Sequence, residues 1–174
     1  GYSISSQLHS VPACQSIIKK AVVERLKAHY GMDRFPETGT KYQIRFSVFK
    51  DQVSIGLDAS GEGLYKRGYR AVGVEAPLRE TLAAALVTLS RYRGRDPFCD
   101  PFCGSGTICI EAAMIALNRA PGMNRSFGAQ KWACVPQEVW RAERTAAMDR
   151  EYRGDYRILG TDIDPAALAI AREN

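Results

Sequence analysis

Histidine is scarce in this 174-residue sequence, with only His9 and His29. The five cysteines, Cys14, Cys99, Cys103, Cys109 and Cys134, contain no Cys-x-x-Cys pair. Structural zinc draws on closely spaced thiolates and imidazoles, so the expectation is no metal centre. The odd cysteine count also fits no self-contained disulfide framework; reduced thiols and a cytoplasmic setting are expected. No run approaches the roughly 18 apolar residues of a membrane span. Residues 1–10 are polar and lack the charged start and apolar stretch of a secretory signal. Neither membrane association nor export is expected, and no internal repeat or low-complexity tract is visible.

What is present suffices for a packed core in one or two domains: 45% of residues are apolar. Charge is unevenly spread. Residues 1–60 carry 8 basic and 5 acidic side chains, residues 61–95 carry 7 and 3, and residues 96–174 carry 9 and 11. A basic front and a slightly acidic back suit two readings, a polyanion-binding surface or a solvated face with a modest positive excess.

The most informative run is Asp100-Pro-Phe-Cys-Gly-Ser-Gly-Thr107. A short strand (residues 96–100) enters a glycine turn, and a helix leaves it from Thr107 to about Asn118. Gly104 and Gly106 permit backbone angles that a Cβ resists, which lets main-chain N–H groups approach a ligand. A phosphate loop of the Walker type ends in Gly-Lys-Ser/Thr, but Gly106 is followed directly by Thr107. A dinucleotide turn has a further glycine three residues on, where this chain has Cys109. Two readings remain: the cofactor turn of an S-adenosylmethionine (SAM) methyltransferase, or a tight strand–helix turn without a ligand. Further along, Arg157-Ile-Leu-Gly-Thr-Asp-Ile-Asp164 reads as a buried strand tipped by acids, with Pro165 opening a helix. Asp162 at the strand end is placed to accept ribose hydroxyls, whereas Asp164, just before a proline at the first helical position, reads as the helix N-cap. The interval between turn and acid is far longer than the ~20 residues of a dinucleotide site.

Elsewhere the pattern predicts a helix over Pro12 to about Tyr30, with Ile17, Ile18, Ala21, Val22 and Leu26 as its apolar stripe. Period-2 alternation over 41–50 and 52–58 predicts a β-hairpin turning at Lys50-Asp51. Pro77 is expected to open a helix running through Ser90 with Leu78, Leu82, Ala85, Leu86 and Leu89 inward. Another, from Gln137 to about Tyr152, presents Val139, Trp140 and Ala147 to the interior. Trp132 and Trp140 read as packing residues. Residues 124–134 read as loop.

In order along the chain stand His9-Ser-Val-Pro-Ala-Cys14, the hairpin, Ser60-Gly-Glu-Gly-Leu-Tyr-Lys-Arg-Gly-Tyr-Arg70, Glu75-Ala-Pro-Leu-Arg-Glu80, the glycine turn, and Gly160-Thr-Asp-Ile-Asp-Pro165. Together they resemble the THUMP-containing RNA methyltransferases related to the bacterial enzyme that makes N2-methylguanosine in large-subunit (23S) ribosomal RNA. The resemblance spans essentially the whole chain. It implies an α/β protein: residues 1–70 as the later part of an α+β THUMP RNA-binding domain with its linker, and residues 71–174 as the first half of a Rossmann-like class I methyltransferase domain. SAM is the implied cofactor, and ribosomal RNA or a pre-ribosomal particle the implied partner. By the family pattern, Asp100 with Phe102, Cys103, Gly104, Ser105, Gly106 and Thr107 would hold the methionine end. Asp162, with Ile163 beside it, would take the ribose, and Pro77 and Arg79 of the Ala76–Arg79 helix start would close over the cofactor. Lys66, Arg67, Tyr69 and Arg70, together with Arg91, Arg93 and Arg95, are the expected RNA contacts. The chain departs from the family in one respect: the catalytic Asn/Asp-Pro-Pro-Tyr motif is absent, because Asn118, Asn124 and Asn174 are the only asparagines and none precedes Pro-Pro. No catalytic residue is therefore assigned, and these 174 residues alone are expected to be inactive. The competing expectations are adenine-N6 methylation of DNA, whose catalytic motif this family shares, and a non-catalytic RNA-binding module with a degenerate SAM fold.

Overall fold

The computed structural model describes residues 1–70 and 77–174; Glu75 and Ala76 of the expected helix start lie outside the described residues. The chain divides into two compact units, Gly1–Gly61 and Glu62–Asn174. The second unit thus begins before the Lys66–Arg70 segment, which the sequence reading had assigned to the linker of the first domain.

In the first unit, β1 (Tyr2–Ile4), α1 (Val11–Tyr30), β2 (Ile44–Phe49) and β3 (Gln52–Leu57) build a three-stranded sheet of order β1-β2-β3 beside one helix. β1 runs parallel to β2, and β2 pairs antiparallel with β3. A strand of three residues is too short to show a periodicity, and β1 left no signal in the sequence. The Phe49↔Gln52 pairing leaves Lys50 and Asp51 as a two-residue turn, both at positive φ (49° and 62°), the twist that closes a hairpin. Asp51 is held there because its carboxylate accepts bonds from the Ser6 hydroxyl and the Gln7 N–H. Helix α1 starts on Ser10, whose side chain accepts from the Ala13 N–H, and stops at Gly31 in the left-handed region. Its buried face keeps Ile18 of the expected stripe but is centred on Cys14. Cys14 packs with Phe46 and Val48, flanked by Val11 and Ile18, while Ile17 is 66% exposed and Leu26 also faces outward. Residues 14 and 18 stand one turn apart above the sheet, and Ile17 falls to the side of that line.

In the second unit, α2 (Glu80–Leu89), β4 (Phe98–Asp100), α3 (Thr107–Ala116), a short 3-10 turn (Gly128–Lys131), α4 (Gln137–Asp149), β5 (Ile158–Gly160) and α5 (Pro165–Glu173) follow in order. β4 and β5 are adjacent and parallel, with Phe98, Cys99 and Asp100 opposite Ile158, Leu159 and Gly160. Helix α3 packs on both strands and on α2. Small residues allow that closeness: Ala83 and Val87 of α2 and Ala112 and Ala116 of α3 are buried. The leucines expected inside α2 are outside instead, with Leu82, Leu86 and Leu89 all exposed. An alternative stripe, Glu80-Ala83-Val87, has the same helical spacing and wins because it fits against the alanines of α3. The helix also begins three residues later than expected, since Arg79 is still extended (φ −68°, ψ 137°). Helix α4 buries no residue fully and Val139 is exposed, but Trp140 stacks on Phe127 at 5.6 Å. Asp164 caps α5 by accepting from the Ala166 N–H, as its place before Pro165 implies.

Among the described residues no helix is long and apolar enough to cross a membrane. Gly160, the last residue of β5, is where strand and turn come closest: a Cβ there would lie 2.9 Å from Cys109 Sγ and 3.1 Å from Cys103 Cβ. Gly160→Ala is expected to cost about 1–3 kcal/mol through overpacking, read in urea unfolding as a lower midpoint at unchanged slope.

Candidate cofactor site

The parallel pair β4–β5 sets the site. Two further bonds continue its ladder beyond the strands, from Thr161 N–H to the Asp100 carbonyl and from Cys103 N–H to the Thr161 carbonyl (both 2.9 Å). They bring the two strand exits side by side. The glycine turn then takes the conformation its spacing implies: Gly104 has φ 52°, Gly106 has φ 80°, and Gly106 is the residue from which α3 departs. A Cβ added to Gly104 would meet nothing within 4 Å, so that side of the turn is open; at Gly106 one would press on Ala171.

Asp162 joins the two exits. One carboxylate oxygen accepts the Gly104 N–H at 2.8 Å and the other the Asp164 N–H at 3.0 Å. Those N–H bonds, that of Asp164 foremost, hold its carboxyl below the usual aspartate value. A carboxylate offers about four acceptor positions, so capacity remains for a ligand. Asp100 differs. Its Oδ1 accepts the Phe102 N–H at 3.1 Å, while Oδ2 is buried and has no hydrogen-bond partner among the described residues. A buried carboxylate oxygen left without a donor is costly, and an ammonium or N–H from a ligand would relieve it. Phe102 and Ile163, at the two exits, are 86% and 99% exposed. Cys103, Ser105 and Thr107 are buried within the turn.

Cys103 and Cys109 thiols are raised by burial first and by Asp100 second, Cys109 to about 11. They are packing groups and not nucleophiles. All five cysteines are free, and among the described residues no cluster of His, Cys, Asp and Glu could hold a metal ion.

Beneath the turn lies an arrangement that sequence reasoning missed. Glu111 on α3 is 1% exposed and meets the Tyr69 hydroxyl, which donates to it at 3.0 Å, and Arg67 Nε at 3.3 Å. Arg70 donates to the Thr107 hydroxyl at 2.8 Å and the Leu78 carbonyl at 3.0 Å, and pairs with buried Glu80 at 3.5 Å. Arg67, Tyr69 and Arg70, expected as RNA contacts, make bonds inward to Glu111 and Thr107 at the base of the glycine turn. Burial, then Glu111, pushes the Tyr69 phenol well above its ordinary range, so it stays a donor. Arg125, itself buried, donates to the carbonyls of Glu62, Gly63 and Lys66 and fixes the start of the same segment. A signal was available for the acids: Glu111 is the one charge in an otherwise apolar Thr107–Ala116 helix, and a lone charge on a packed face demands a partner. Nothing in the sequence marked Arg125. Of the remaining expected RNA contacts, Lys66, Arg91, Arg93 and Arg95 are exposed. Pro77 and Arg79 lie at the start of α2, and the Arg79 guanidinium stacks over Tyr65.

A family model described as an RMKL-like methyltransferase domain (UPF0020) matches residues 67–174. The chain belongs to this family. Among curated relatives, YpsC of Bacillus subtilis (strain 168), which carries an RNA-methyltransferase name, is 48% identical over 177 residues, covering 100% of this chain and 46% of that protein. The ribosomal RNA large subunit methyltransferase K/L of Psychromonas ingrahamii is 42% identical over 165 residues, covering 90% of this chain and 22% of its own length. Two crystal structures superpose closely. A protein from Listeria monocytogenes described as a predicted N6-adenine-specific DNA methylase gives a TM-score of 0.93 at 46% identity, over 99% of this chain and 46% of that one. SMU.472, a methyltransferase by name and crystallised with S-adenosylhomocysteine (SAH), gives 0.89 at 41% identity, over 99% and 46%. The RMKL-like chain thus spans less than half the length of these relatives.

Two outcomes test this geometry. Glu111→Ala leaves the Arg67 charge buried without a partner and should cost about 3–5 kcal/mol in urea unfolding. Burial, against the pull of Arg67 and Tyr69, raises the Glu111 carboxyl above the usual glutamate value. Its contribution is therefore full below the unfolded-chain value and is lost as pH climbs through the raised one. The stability of wild type relative to Glu111→Gln should accordingly fall as pH rises across that window. Separately, mass spectrometry after iodoacetamide at pH 8 should find exposed Cys99 and Cys134 alkylated well before Cys109, of which only about one part in a thousand is thiolate at that pH.

Proposed function

We propose that this chain is the cofactor-binding part of a SAM-dependent RNA methyltransferase that acts on the exocyclic N2 of a guanine in large-subunit ribosomal RNA. The observation that carries the reading is the buried, partnerless Oδ2 of Asp100 beside the glycine turn, one strand spacing of about 4.8 Å from the exit that bears Asp162. Asp100 would take the amino group of the methionine end, the Gly104–Gly106 turn would lie under that end, and the remaining acceptor positions of Asp162 would take the ribose hydroxyls. Exposed Ile163 would pack against the adenine, burying apolar surface at about 25 cal/mol per Å². When bound, SAM supplies a methyl group on a positively charged sulfur.

The guanine amine is a weak nucleophile, because its lone pair is delocalised into the ring. Enzymes for such bases extrude them and bind them in a pocket, so the rate comes mainly from positioning. The pocket motif, Asn/Asp-Pro-Pro-Tyr, is not in these residues, so they are read as holding the cofactor without completing the transfer. The Gly1–Gly61 unit is read as the later part of a THUMP RNA-binding domain, supported by the resemblance and by the basic front of the chain. The guanine target is favoured by the large-subunit ribosomal RNA name of the K/L relative; the DNA-methylase name of the Listeria protein favours adenine N6, and the product decides between them.

Calorimetric titration with SAH is expected to give one site per chain. Asp100→Ala and Asp162→Asn should each weaken it at least about tenfold, the loss of one charge-assisted hydrogen bond. No heat with wild type would favour the non-catalytic module. With undermethylated ribosomal RNA and labelled SAM, the 174 residues should release no methylated nucleoside, and turnover would refute that part. A chain continued to the length of its relatives should yield N2-methylguanosine on nucleoside mass spectrometry; N6-methyladenine in DNA would overturn the substrate.

A further inference from the structure

The second unit carries a cavity of about 690 Å³ formed by the Glu62–Arg70 segment, the start of α2 and residues 124–126. It is separate from the cofactor turn, since none of residues 100–107 and neither Asp162 nor Ile163 lines it. Five basic and two acidic side chains do. Arg67 and Arg70 are paired with the buried acids described above, while Arg125 is held by backbone carbonyls and leaves a positive charge in the cleft. The rim is set by Arg79 and Lys66. The Arg79 guanidinium lies 5.3 Å from the centroid of the Tyr65 ring. Stacking holds that plane by its face and leaves its edge N–H groups for a planar or tetrahedral anion. Lys66 pairs with Glu62 at 3.1 Å, but both side chains are more than half exposed, a pair that water screens and a stronger anion displaces. Among the described residues α2 has no side-chain cap, and Glu80 in its first turn offsets part of the positive helix end that faces the cleft.

We propose that this cleft binds the phosphate backbone of a single RNA strand, Arg79 gripping one phosphate through its stacked fork and Lys66 a neighbouring one. The proposal rests on the RNA methyltransferase reading and adds to it the path of the substrate strand. It also moves Arg79 from the cofactor to the RNA. A run of phosphates would use both exposed cations, where a lone cofactor carboxylate would use one of them.

The test is anisotropy of the 174-residue chain with a labelled single-stranded RNA dodecamer between 50 and 200 mM salt, with SAH calorimetry on the same preparations. Both variants are at exposed positions, and circular dichroism confirms their folding. Arg79→Gln and Lys66→Gln are each expected to weaken RNA about fivefold and to lower the salt slope by about 0.7, one phosphate contact on a single strand. In Lys66→Gln the SAH affinity should stay within about twofold, and Arg79→Lys, which keeps the charge but not the fork, should weaken RNA less than Arg79→Gln does. Unchanged RNA affinity and slope in both variants overturn the proposal. So does loss of SAH binding in Arg79→Gln with RNA binding intact, which returns Arg79 to the cofactor. Wild type that binds SAH but no RNA overturns the cleft and leaves the methyltransferase reading standing. RNA binding that depends on Arg79 and Lys66 in a chain that never binds SAH supports the cleft and sinks that reading. Wild type that binds neither overturns both.

Discussion

A carboxylate placed in an apolar helix face has to find a cation, and the second unit is organised around that requirement. Glu111 and Glu80 sit where α2 and α3 meet through alanines, too tightly for water to satisfy them. The chain solves the problem with the short segment that precedes the helices. Arg67 and Tyr69 serve Glu111, and Arg70 serves Glu80 while also bonding Thr107, the first residue of α3. The glycine turn is therefore gripped from two sides: from above by Asp162, which accepts the Gly104 N–H, and from below by Arg70. A loop built on two glycines with positive φ would otherwise lose much conformational entropy on ordering. Fixing it beforehand removes that ordering cost from any later binding at the turn.

The arrangement also separates two roles that similar residues seem to share. Arginines in a basic, tyrosine-containing segment look alike on paper, yet here they divide by depth. Those at 67 and 70 are structural ions whose charges are neutralised by buried acids, and they are unsuited to exchange partners with a polyanion. The arginine at 79 and the lysine at 66 stay at the surface, where exchange is cheap. Such a division lets the exposed cations change partners without loosening the glycine turn.

Much of this was legible in the sequence, for local reasons. The glycine turn, the acids at the strand exits, the Asp164 cap before Pro165 and the Lys50-Asp51 hairpin each depend on neighbouring residues, and each has the expected geometry. The inward face of α2 was misread, and that of α1 in part, because hydrophobicity alone does not choose the buried side of a helix; the partner surface does. For α2 that surface is a row of alanines on α3, which rewards Ala83 and Val87 over bulkier Leu82 and Leu86. The inward bonds of Arg67 and Arg70 could not be read ahead because a charge pattern gives no depth. Arg125 left no trace, since its partners include three backbone carbonyls some sixty positions earlier.

The seam between segment and helices has an evolutionary corollary. If this half of the fold were transplanted beside a different neighbour, residues 62–70 would have to travel with it, although they look like a dispensable tether. Grafts joined after Arg70 would inherit two orphaned acids under the glycine loop. Recombination among such proteins should therefore favour crossovers upstream of Glu62, and the tether should be inherited with the unit that carries the glycine loop, whatever module is fused in front of it.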